Sequence, residues 1–449
     1  MSVKKKLFSA ALAAGLVFGI SNISNATNGY YMIATGAKSL GMAGAVVANP
    51  QDASTIIQNP AGIAWLPNTM FDVGGSLFMP PRKLNGHKSD SNLFVVPAAG
   101  FAYNPMGCNC GTPHFVFGIG MYGVSGMGVD WSDNNLTGDQ KVPVMTPLGP
   151  VNVKTGWLKK AYSNMQMMEM SIGGAYRTGN FSIGFAPVFV YQALSMEFDW
   201  NVPDYKNTLG GGVYTNQQMK LPSPGVHTDS LDTANAYGIG FDLGLVYKIN
   251  DMLTVGLVYK SKRYMQKLEW NTTPGNGLMI TSDKVKMRLD MPRQVAFGID
   301  FRPIEPLRIE TDIRWINYKD VMWEPKVSGL AIDKWPFHWH NQWVFAVGAS
   351  YDISKSFTVR AGFNYAKSPI KDEDLNSNIV APAIVQTHAT IGFTYKFTKN
   401  FDISMAYAHA FSHKQSVKNT DMQDVMMYGP ETSVKMHQDT VAFELSYVF

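Results

Sequence analysis

The stretch LRIETDIRW, residues 307–315, constrains the fold more than any other part of the sequence. Apolar or β-branched residues alternate there with Arg308, Glu310, Asp312 and Arg314. A period of two places the two sets on opposite faces of a β-strand. Four successive ionisable side chains are too costly for the core of a soluble β-sandwich, which is the alternative for such a strand. We therefore expect the polar face to line a lumen, where acids and bases pair across neighbouring strands.

The same alternation recurs along the chain and continues to its last residues. FTVRAGFNY, residues 357–365, places Arg360 on its polar face, and VAFELSYVF, residues 441–449, places Phe443 and Leu445 on its apolar face. No apolar run beyond the first 26 residues reaches the roughly 18 residues of a membrane helix. Charged residues make up only 16% of the chain, against about 25% in ordinary globular proteins. The sequence predicts an all-β protein, a transmembrane antiparallel β-barrel.

The connections between the alternating segments indicate the topology. Very short turns at 177–180, 249–251, 303–306 and 399–400 alternate with long loops, the longest at about 126–164 and 199–234. Short turns at one rim and long loops at the other are typical of outer-membrane barrels. This spacing predicts about 14 strands. Four tryptophans near the long-loop ends are expected to form an aromatic girdle: Trp131, Trp200, Trp270 and Trp343.

The beginning of the chain has the pattern of a secretory signal peptide. Three lysines precede an apolar run from Leu7 to about Ile20, and small residues follow up to Ala26, as signal cleavage requires. Because residues 1–26 carry three lysines and no acidic residue, their removal lowers the formal net charge from +4 to +1. A nearly neutral chain argues against nucleic acid as a partner. We expect export to the bacterial outer membrane, in contact with its lipids.

Residues 27–67 differ from the predicted barrel, residues 68–449. They are rich in Ala and Gly, have apolar residues at helical spacing, and are interrupted by Asn49-Pro50 and Asn59-Pro60. Proline cannot continue a helix interior. Short helices at the start of a barrel chain cannot face lipid. The segment is therefore expected to fold into the lumen as a plug, called the hatch below; a periplasmic tail is the alternative.

The segment GMAGAVVANPQDASTIIQNPAGIAWL resembles the hatch of the FadL-type long-chain fatty-acid and hydrocarbon transporters, including its motif Asn59-Pro60-Ala61. The resemblance continues through residues 360–375 and 388–411 to the aromatic C-terminus. It implies a monomeric barrel of fourteen strands, an internal hatch, and an opening in the wall at a kinked third strand. It also implies capture of apolar ligands from outside. The last residue, Phe449, resembles the sorting signal that outer-membrane barrels present to the barrel assembly machinery.

The third strand, HFVFGIGMYGV at 114–124, contains the pattern G-x-G-x-x-G. A dinucleotide site needs a helix after this pattern, whereas a glycine-rich, non-helical stretch follows here. Glycine within a strand more often marks a bulge or a close backbone approach. We predict the lateral opening at Gly118, Gly120 and Tyr122.

Other chemistry is sparse in the sequence. Cys108 and Cys110 lie in a predicted periplasmic turn and form a possible disulfide, although one intervening residue strains such a ring. His338 and His340 alternate in a loop without a carboxylate in the motif, and no metal site is predicted. The nucleophile elbow G-x-S-x-G and the zinc motif H-E-x-x-H do not occur in the sequence. The chain is therefore expected not to be an enzyme and to need no cofactor.

These observations favour a passive transporter that takes up hydrophobic compounds and releases them sideways into the membrane. Fatty acids and aromatic or aliphatic hydrocarbons need similar apolar linings, so the ligand class stays open. The carboxylate of a fatty acid requires a lumen cation, and three residues are candidates: Lys38, Arg314 and Arg360. A general porin is the alternative, and a non-transport barrel, such as a lipase or a surface interaction protein, is another.

Overall fold

The structure is a computed structural model that describes residues 28–106, 113–131, 136, 141–146, 149–202, 225–275 and 277–449. The predicted signal peptide, residues 1–26, lies outside the described residues, as do Cys108 and Cys110. No helix in the described ranges is long and apolar enough to cross a membrane.

Fourteen antiparallel strands form a closed barrel, as the alternation and turn spacing predict. Each strand pairs with its neighbour in sequence, and β14 also pairs with β1 from Met70↔Val448 to Met79↔Asp439. The strands are β1 (Met70–Met79), β2 (Phe94–Tyr103), β3 (His114–Trp131), β4 (Leu158–Thr178), β5 (Phe181–Val202), β6 (Gly225–Lys248), β7 (Leu253–Lys260), β8 (Gln294–Ile304), β9 (Leu307–Ile316), β10 (Gln342–Ser354), β11 (Phe357–Ala366), β12 (Thr387–Lys396), β13 (Phe401–Lys418) and β14 (Glu431–Val448).

The strands β3 to β6 are longer than the sequence indicated, with 18 to 24 residues each. The predicted loop boundaries at about 126–164 and 199–234 are therefore wrong, because β3 continues to Trp131 and β5 to Val202. Beyond the membrane these strands bury side chains against the outer loops. Trp131, Trp200 and Trp270 are buried there, so they do not form the predicted girdle. Trp343, which is 54% exposed, is the one of the four that faces outward.

The remaining elements belong to the hatch and to the loops at the long-loop rim. The hatch contains α1 (Ala37–Gly41), α2 (Thr55–Gln58) and a 3₁₀ helix (Pro60–Trp65). The outer loops contain α3 (Lys319–Met322), α4 (Met422–Tyr428), the 3₁₀ turns Asp372–Asp374 and Asn376–Asn378, and the short strands Arg82–Leu84, His87–Lys88, Lys141–Thr146, Gly149–Lys154, Tyr264–Met265, Leu268–Asn271, Lys284–Met287 and Val327–Ser328.

The two faces of the barrel wall have opposite character. Outward residues are large, apolar and exposed, including Phe117, Ile239, Phe345 and Phe443. The intervening inward residues are buried and often polar. Because lipid replaces water around the outward face, exposed aromatic and aliphatic side chains there are stable. The alternation in the sequence therefore reports the two faces correctly.

Candidate functional site

The motif Asn59-Pro60-Ala61 joins the hatch to the inner wall near the short-turn rim. The Asn59 side chain donates to the carbonyls of Val47 (2.8 Å) and Leu245 (3.2 Å) and accepts from the Ala61 N–H at 3.2 Å. Pro60 begins the 3₁₀ helix, where a missing N–H costs nothing. One amide thus connects two hatch segments with β6.

Two wall glycines make room for this motif. A Cβ on Gly244 would lie 2.0 Å from Asn59 Oδ1, and one on Gly184 would lie 2.4 Å from the Ala61 nitrogen. Both distances are shorter than side chains tolerate. The backbone of the hatch therefore packs directly onto β5 and β6 at these positions.

Helix α1 is held by charged groups of the opposite wall. Lys38 Nζ lies 3.1 Å from Asp402 and 3.6 Å from Glu444, and it donates to Ser446 at 2.7 Å. The Ala37 N–H donates to the second Glu444 oxygen at 2.9 Å. Since its ammonium is already paired with two carboxylates, Lys38 is not a free cation for a ligand.

The polar face predicted on β9 lies in the lumen, but two of its residues bind the hatch. Asp312 accepts from the N–H groups of Val46 (2.9 Å) and Val47 (3.1 Å), and Glu310 accepts from that of Ala48. Arg308 pairs across strands as expected, 2.6 Å from Asp300. The expectation that all of these groups pair with one another is corrected, because hatch amides occupy both acidic side chains.

A cavity lies between the hatch and the strands β4, β7, β8 and β9, and is called the lumen cavity below. Its polar side is formed by Glu169, Lys260, Gln294 and Arg314, and its apolar side by Met32, Ile33, Val46, Ile57 and Val124. Among the described residues, no acidic oxygen lies within 4 Å of the Arg314 guanidinium. Arg360 is engaged elsewhere, donating to Gln51 (2.9 Å) and Thr394 (2.7 Å). Arg314 is therefore the predicted carboxylate candidate that faces the cavity.

The wall pairing between β2 and β3 is interrupted beside this cavity. The β2–β3 ladder ends at Ala98↔Tyr122. The segment before β2 meets β3 again where the Asp90 N–H donates to the Asp130 carbonyl at 2.9 Å. A β-bulge places Val124 as an extra residue in β3 against β4. We call the interval Gly123–Val129 the lateral window.

The hatch supplies the missing partner of β3 at the window. The Met32 N–H donates to the Val124 carbonyl at 3.0 Å, and the Gly126 N–H donates to the Tyr30 carbonyl at 3.2 Å. The edge of the window next to β2 is apolar, because Met32 packs there with Phe94 and Val96. Met32 and Val124 also line the lumen cavity, so the cavity adjoins the window directly.

The position predicted for the opening requires correction. Gly118 and Gly120 each pair with β2 and with β4 in a regular ladder. Their lack of a side chain serves packing: a Cβ on Gly118 would lie 3.3 Å from Ile56, and one on Gly120 would lie 2.4 Å from the Tyr122 ring. These residues make room for α2, and the interruption begins after Tyr122.

A second apolar recess lies at the outer rim and is called the outer groove below. It is lined by aromatic and aliphatic side chains from β5 and five outer loops, among them Trp157, Phe198, Trp335, Ile379 and Met426. Its empty volume is about 1650 Å³, part of it open to solvent. Burial raises the pKa of Asp424 at its edge, and a hydrogen bond from Asn376 offsets part of this rise.

This combination of barrel, hatch and interrupted third strand is matched by a described protein family. The sequence profile of "Outer membrane protein transport protein (OMPP1/FadL/TodX)" matches residues 19–449. The chain belongs to this family. Its place in the bacterial outer membrane, predicted from the sequence, is thereby confirmed.

Individual relatives of this FadL-family chain are distant in sequence. Outer membrane protein P1 of Haemophilus influenzae is 24% identical over 61% of each chain, so the match spans less than two thirds of that protein. The long-chain fatty acid transport protein of Escherichia coli O6:H1 is 21% identical over 86% of each chain. The crystal structure of the Pseudomonas putida toluene transporter TodX, 21% identical, superposes with a TM-score of 0.69 over 94% of this chain and all of that one. This superposition supports the barrel fold with its internal hatch.

Family members are transport channels rather than enzymes. His338 lies 2.9 Å from Asp374 and 3.4 Å from Glu324. Among the described residues, no group of three or more His, Cys, Asp or Glu side chains is arranged to hold a metal ion. The disulfide predicted between Cys108 and Cys110 lies outside them.

The sequence did not reveal two parts of this FadL-family site. Pro97 of β2 lies next to the last β2–β3 pair, and proline has no N–H to donate to a ladder. That residue is a sequence signal for the window.

The second part is Asp229 at the outer groove, and no local sequence pattern marks it, because its hydrogen-bond partners are distant in the chain. It accepts from Trp200 Nε1 (3.0 Å) and from three consecutive backbone N–H groups at residues 278–280.

Asp229 provides a testable prediction for the outer groove. Asp229→Ala should release residues 277–281, because hydrogen bonds to a carboxylate contribute about 1.5–3 kcal/mol each. Leu278 and Met279 line the groove, so we expect roughly tenfold weaker binding of an apolar fluorescent probe and faster amide exchange in this loop. Asp283→Ala removes an exposed charge from the same loop and is the control. Equal behaviour of the two variants would contradict the assignment.

Proposed function

We propose that this protein takes up hydrophobic compounds, long-chain fatty acids or hydrocarbons, and releases them through the lateral window into the outer membrane. The observation that carries the proposal is that one cavity, with Arg314 on its polar side, ends at the interrupted wall beside Val124. The outer groove is the site of first capture, and passage from groove to cavity to window needs no energy source.

The energetics favour a lateral exit over an aqueous one. A sixteen-carbon acyl chain has about fourteen methylenes, and each gains about 0.8 kcal/mol on leaving water. Release into the periplasm forfeits roughly 11 kcal/mol, whereas release into the bilayer core retains it. A passive route that ends in lipid therefore avoids the free-energy cost that release into water imposes.

The positive charge of Arg314 at the lumen cavity distinguishes the two candidate ligand classes, fatty acids and hydrocarbons. A carboxylate requires a positive partner in a buried site, whereas a hydrocarbon does not. We propose Arg314 for this role, with Lys260 beside it. Arg314→Gln should lower fatty-acid uptake at least tenfold and leave uptake of toluene or an alkane within twofold. An equal loss for both ligands would mean that Arg314 supports the structure only.

Deleting Val124 tests the lateral exit. The deletion removes the extra residue of the bulge, so Ser125 follows Gly123 in register with β4 and the outer half of β3 straightens. We expect uptake of a labelled fatty acid or hydrocarbon to fall at least tenfold in cells with matched surface levels, while binding by purified protein persists.

The substitution Val124→Ala keeps the bulge and is the matched control, with uptake expected near that of the wild type. Heat-modifiable migration on gels verifies that each barrel is folded. Undiminished uptake by the folded deletion variant would exclude lateral exit and favour a lumenal route.

A general porin is the competing function, and the hatch argues against it. A porin needs a continuous aqueous lumen, whereas Asn59, Lys38, Asp312 and Glu310 hold hatch segments against several parts of the barrel wall.

We also propose that the protein performs no catalysis, needs no cofactor or metal and acts as a monomer. A single species of one-chain mass in detergent, by light scattering, is the expected result.

The remaining proposals concern export and assembly. We propose residues 1–26 as a cleaved signal peptide, residues 27–67 as the hatch and residues 68–449 as the barrel. Phe449 is proposed as the signal read by the barrel assembly machinery. Its N–H donates to the Thr69 carbonyl at 2.8 Å, and its side chain is 41% exposed, so the ring is accessible on the outer wall.

A further inference from the structure

A row of four exposed lysines crosses the outside of the barrel above the membrane, and is called the lysine strip below. Lys88 pairs in register with Lys83, Lys83 with Lys435, and Lys435 with Lys414. Directly paired residues on neighbouring strands have Cβ atoms about 5 Å apart. Four positive charges therefore lie side by side within about 15 Å.

The backbone that carries the strip is fixed. Residues 82–88 form a hairpin around Asn85-Gly86, both with positive φ (50° and 93°), the conformation that a tight hairpin turn with these residues adopts. The Asn85 N–H donates to the Ser433 carbonyl at 2.8 Å, and Asn85 Oδ1 accepts from the Ser433 N–H at 2.7 Å. The hairpin thus extends the sheet beside β14 and holds the lysines in place.

The strip has no counter-charge in the described protein. None of the four ammonium groups forms an ion pair or hydrogen bond with a described residue. On β14 the acids of the same face lie beside other cations: Glu431 is opposite Lys418 in the strand register, and Asp439 binds His409 at 2.8 Å. Like charges directly opposite each other destabilise a sheet, so the arrangement is unfavourable unless an external anion joins it.

The height of the strip indicates which anion it meets. On β13 the last large outward ring is Phe411, which is 49% exposed, as expected at the membrane interface. A β-bulge between Ala410 and His413 turns Lys414, three residues later, outward again, roughly 7–10 Å further along the strand. On β14 the outward face changes from Val441 to Asp439 and then to Lys435. The strip therefore lies at the level of the outer-leaflet head groups.

We propose that the lysine strip binds the phosphorylated head group of the outer-leaflet glycolipid, lipopolysaccharide. Basic clusters just outside a membrane attract anionic head groups, and phosphate is the group that several lysines can share as point charges. The bound glycolipid would cover the wall at β1, β13 and β14, beside the strands at which the barrel closes.

The test is native mass spectrometry of the full-length purified protein in neutral detergent, titrated with bisphosphorylated lipid A. Lys83→Gln with Lys435→Gln, the central pair, should weaken binding at least tenfold. Lys396→Gln with Lys399→Gln removes the same charge from the short-turn rim and should bind like the wild type. Lipid A without phosphates should bind at least tenfold more weakly to the wild type than the phosphorylated form.

Thermal unfolding gives an independent readout. Without lipid A, the Lys83→Gln/Lys435→Gln variant should melt at or above the wild-type temperature, because repulsion is relieved; with lipid A, the wild type should melt higher. Wild-type affinity in the double variant, or equal binding of dephosphorylated lipid A, would overturn the proposal. Saturation by millimolar inorganic phosphate with displacement of lipid A would assign the strip to free phosphate instead.

Discussion

Replacing Leu445 by arginine is expected to destabilise the folded barrel by about 2–4 kcal/mol, the cost of a cation at the bilayer midplane of a barrel wall. Leu445 is the central outward residue of the apolar face from Val441 to Phe449. Its register partners, Val73 and Ile403, are apolar as well. An arginine there has no polar neighbour on the wall. The measurement is reversible urea unfolding in lipid vesicles.

The control is the same substitution at a different depth. Ile304 is an outward residue at the turn between β8 and β9 and is 55% exposed. Ile304→Arg should cost at most about 1 kcal/mol, because the penalty falls towards the interface. Equal costs at Leu445 and Ile304 would mean that the membrane does not span the wall where the apolar face indicates.

The neighbouring residue in the sequence should respond differently. Glu444 faces the lumen and accepts from the Ala37 N–H, with Lys38 beside it. Glu444→Arg therefore replaces the partner of α1 with a second cation and should loosen the hatch rather than unfold the barrel. Leu445 and Glu444 are adjacent in the strand but face lipid and lumen respectively, so the same arginine is expected to unfold the barrel at one position and to loosen the hatch at the other.

Alternation and turn spacing made the barrel predictable because both are local. A strand in a membrane wall has lipid on one side throughout, so its outward residues are apolar whatever the rest of the chain does. Beyond the membrane this constraint ends. The outer half of β3 is buried on both faces. At the outer end of β5, MEFDWNV, the alternation is inverted, because Met196, Phe198 and Trp200 are buried while the polar residues between them lie on the partly exposed face. The outer boundaries were wrong for that reason.

The site was less predictable because its contacts join distant residues. Lys38 and Arg360 are cations that face the lumen, but the acids and amides that occupy them lie more than 300 positions away. Gly118 and Gly120 were interpreted as a kink, whereas their role depends on Ile56 of the hatch. The window depends on one unpaired residue, Val124. Pro97 on the neighbouring strand marks the end of the β2–β3 ladder, but no local pattern marks the one-residue register shift between β3 and β4.

Gly244→Ala is expected to detach the hatch motif from the wall while the barrel stays folded. The added Cβ would lie only 2.0 Å from Asn59 Oδ1, which is far too close for a non-bonded contact, so the Asn59 side chain must move away. Its three hydrogen bonds, to Val47, to Leu245 and from Ala61, contribute about 2–4 kcal/mol together. That loss corresponds to a roughly 30-fold to 700-fold shift towards the undocked hatch.

The measurements are single-channel conductance in planar bilayers, which should rise, and limited proteolysis near residues 45–62, which should accelerate. Gly174→Ala adds the same methyl group on β4, where the Val116 carbonyl oxygen at 3.2 Å must shift by a few tenths of an ångström. Because that contact lies in the wall between β3 and β4 and not at Asn59, this variant should change neither. Asn59→Ala removes the same hydrogen bonds without the clash and should resemble Gly244→Ala.

The double variant Asn59→Ala/Gly244→Ala distinguishes this latch from two independent defects. With the Asn59 amide gone, the methyl group at residue 244 no longer meets Oδ1, and its closest remaining neighbour is the Ala61 nitrogen at 2.8 Å. Its additional cost should therefore be smaller than in the wild-type background. Contacting residues characteristically show such non-additivity. A double variant whose proteolysis rate equals the product of the two single effects would mean that Asn59 and Gly244 do not act on each other. The hatch would then be held mainly by the Lys38 and Asp312 contacts on the other walls.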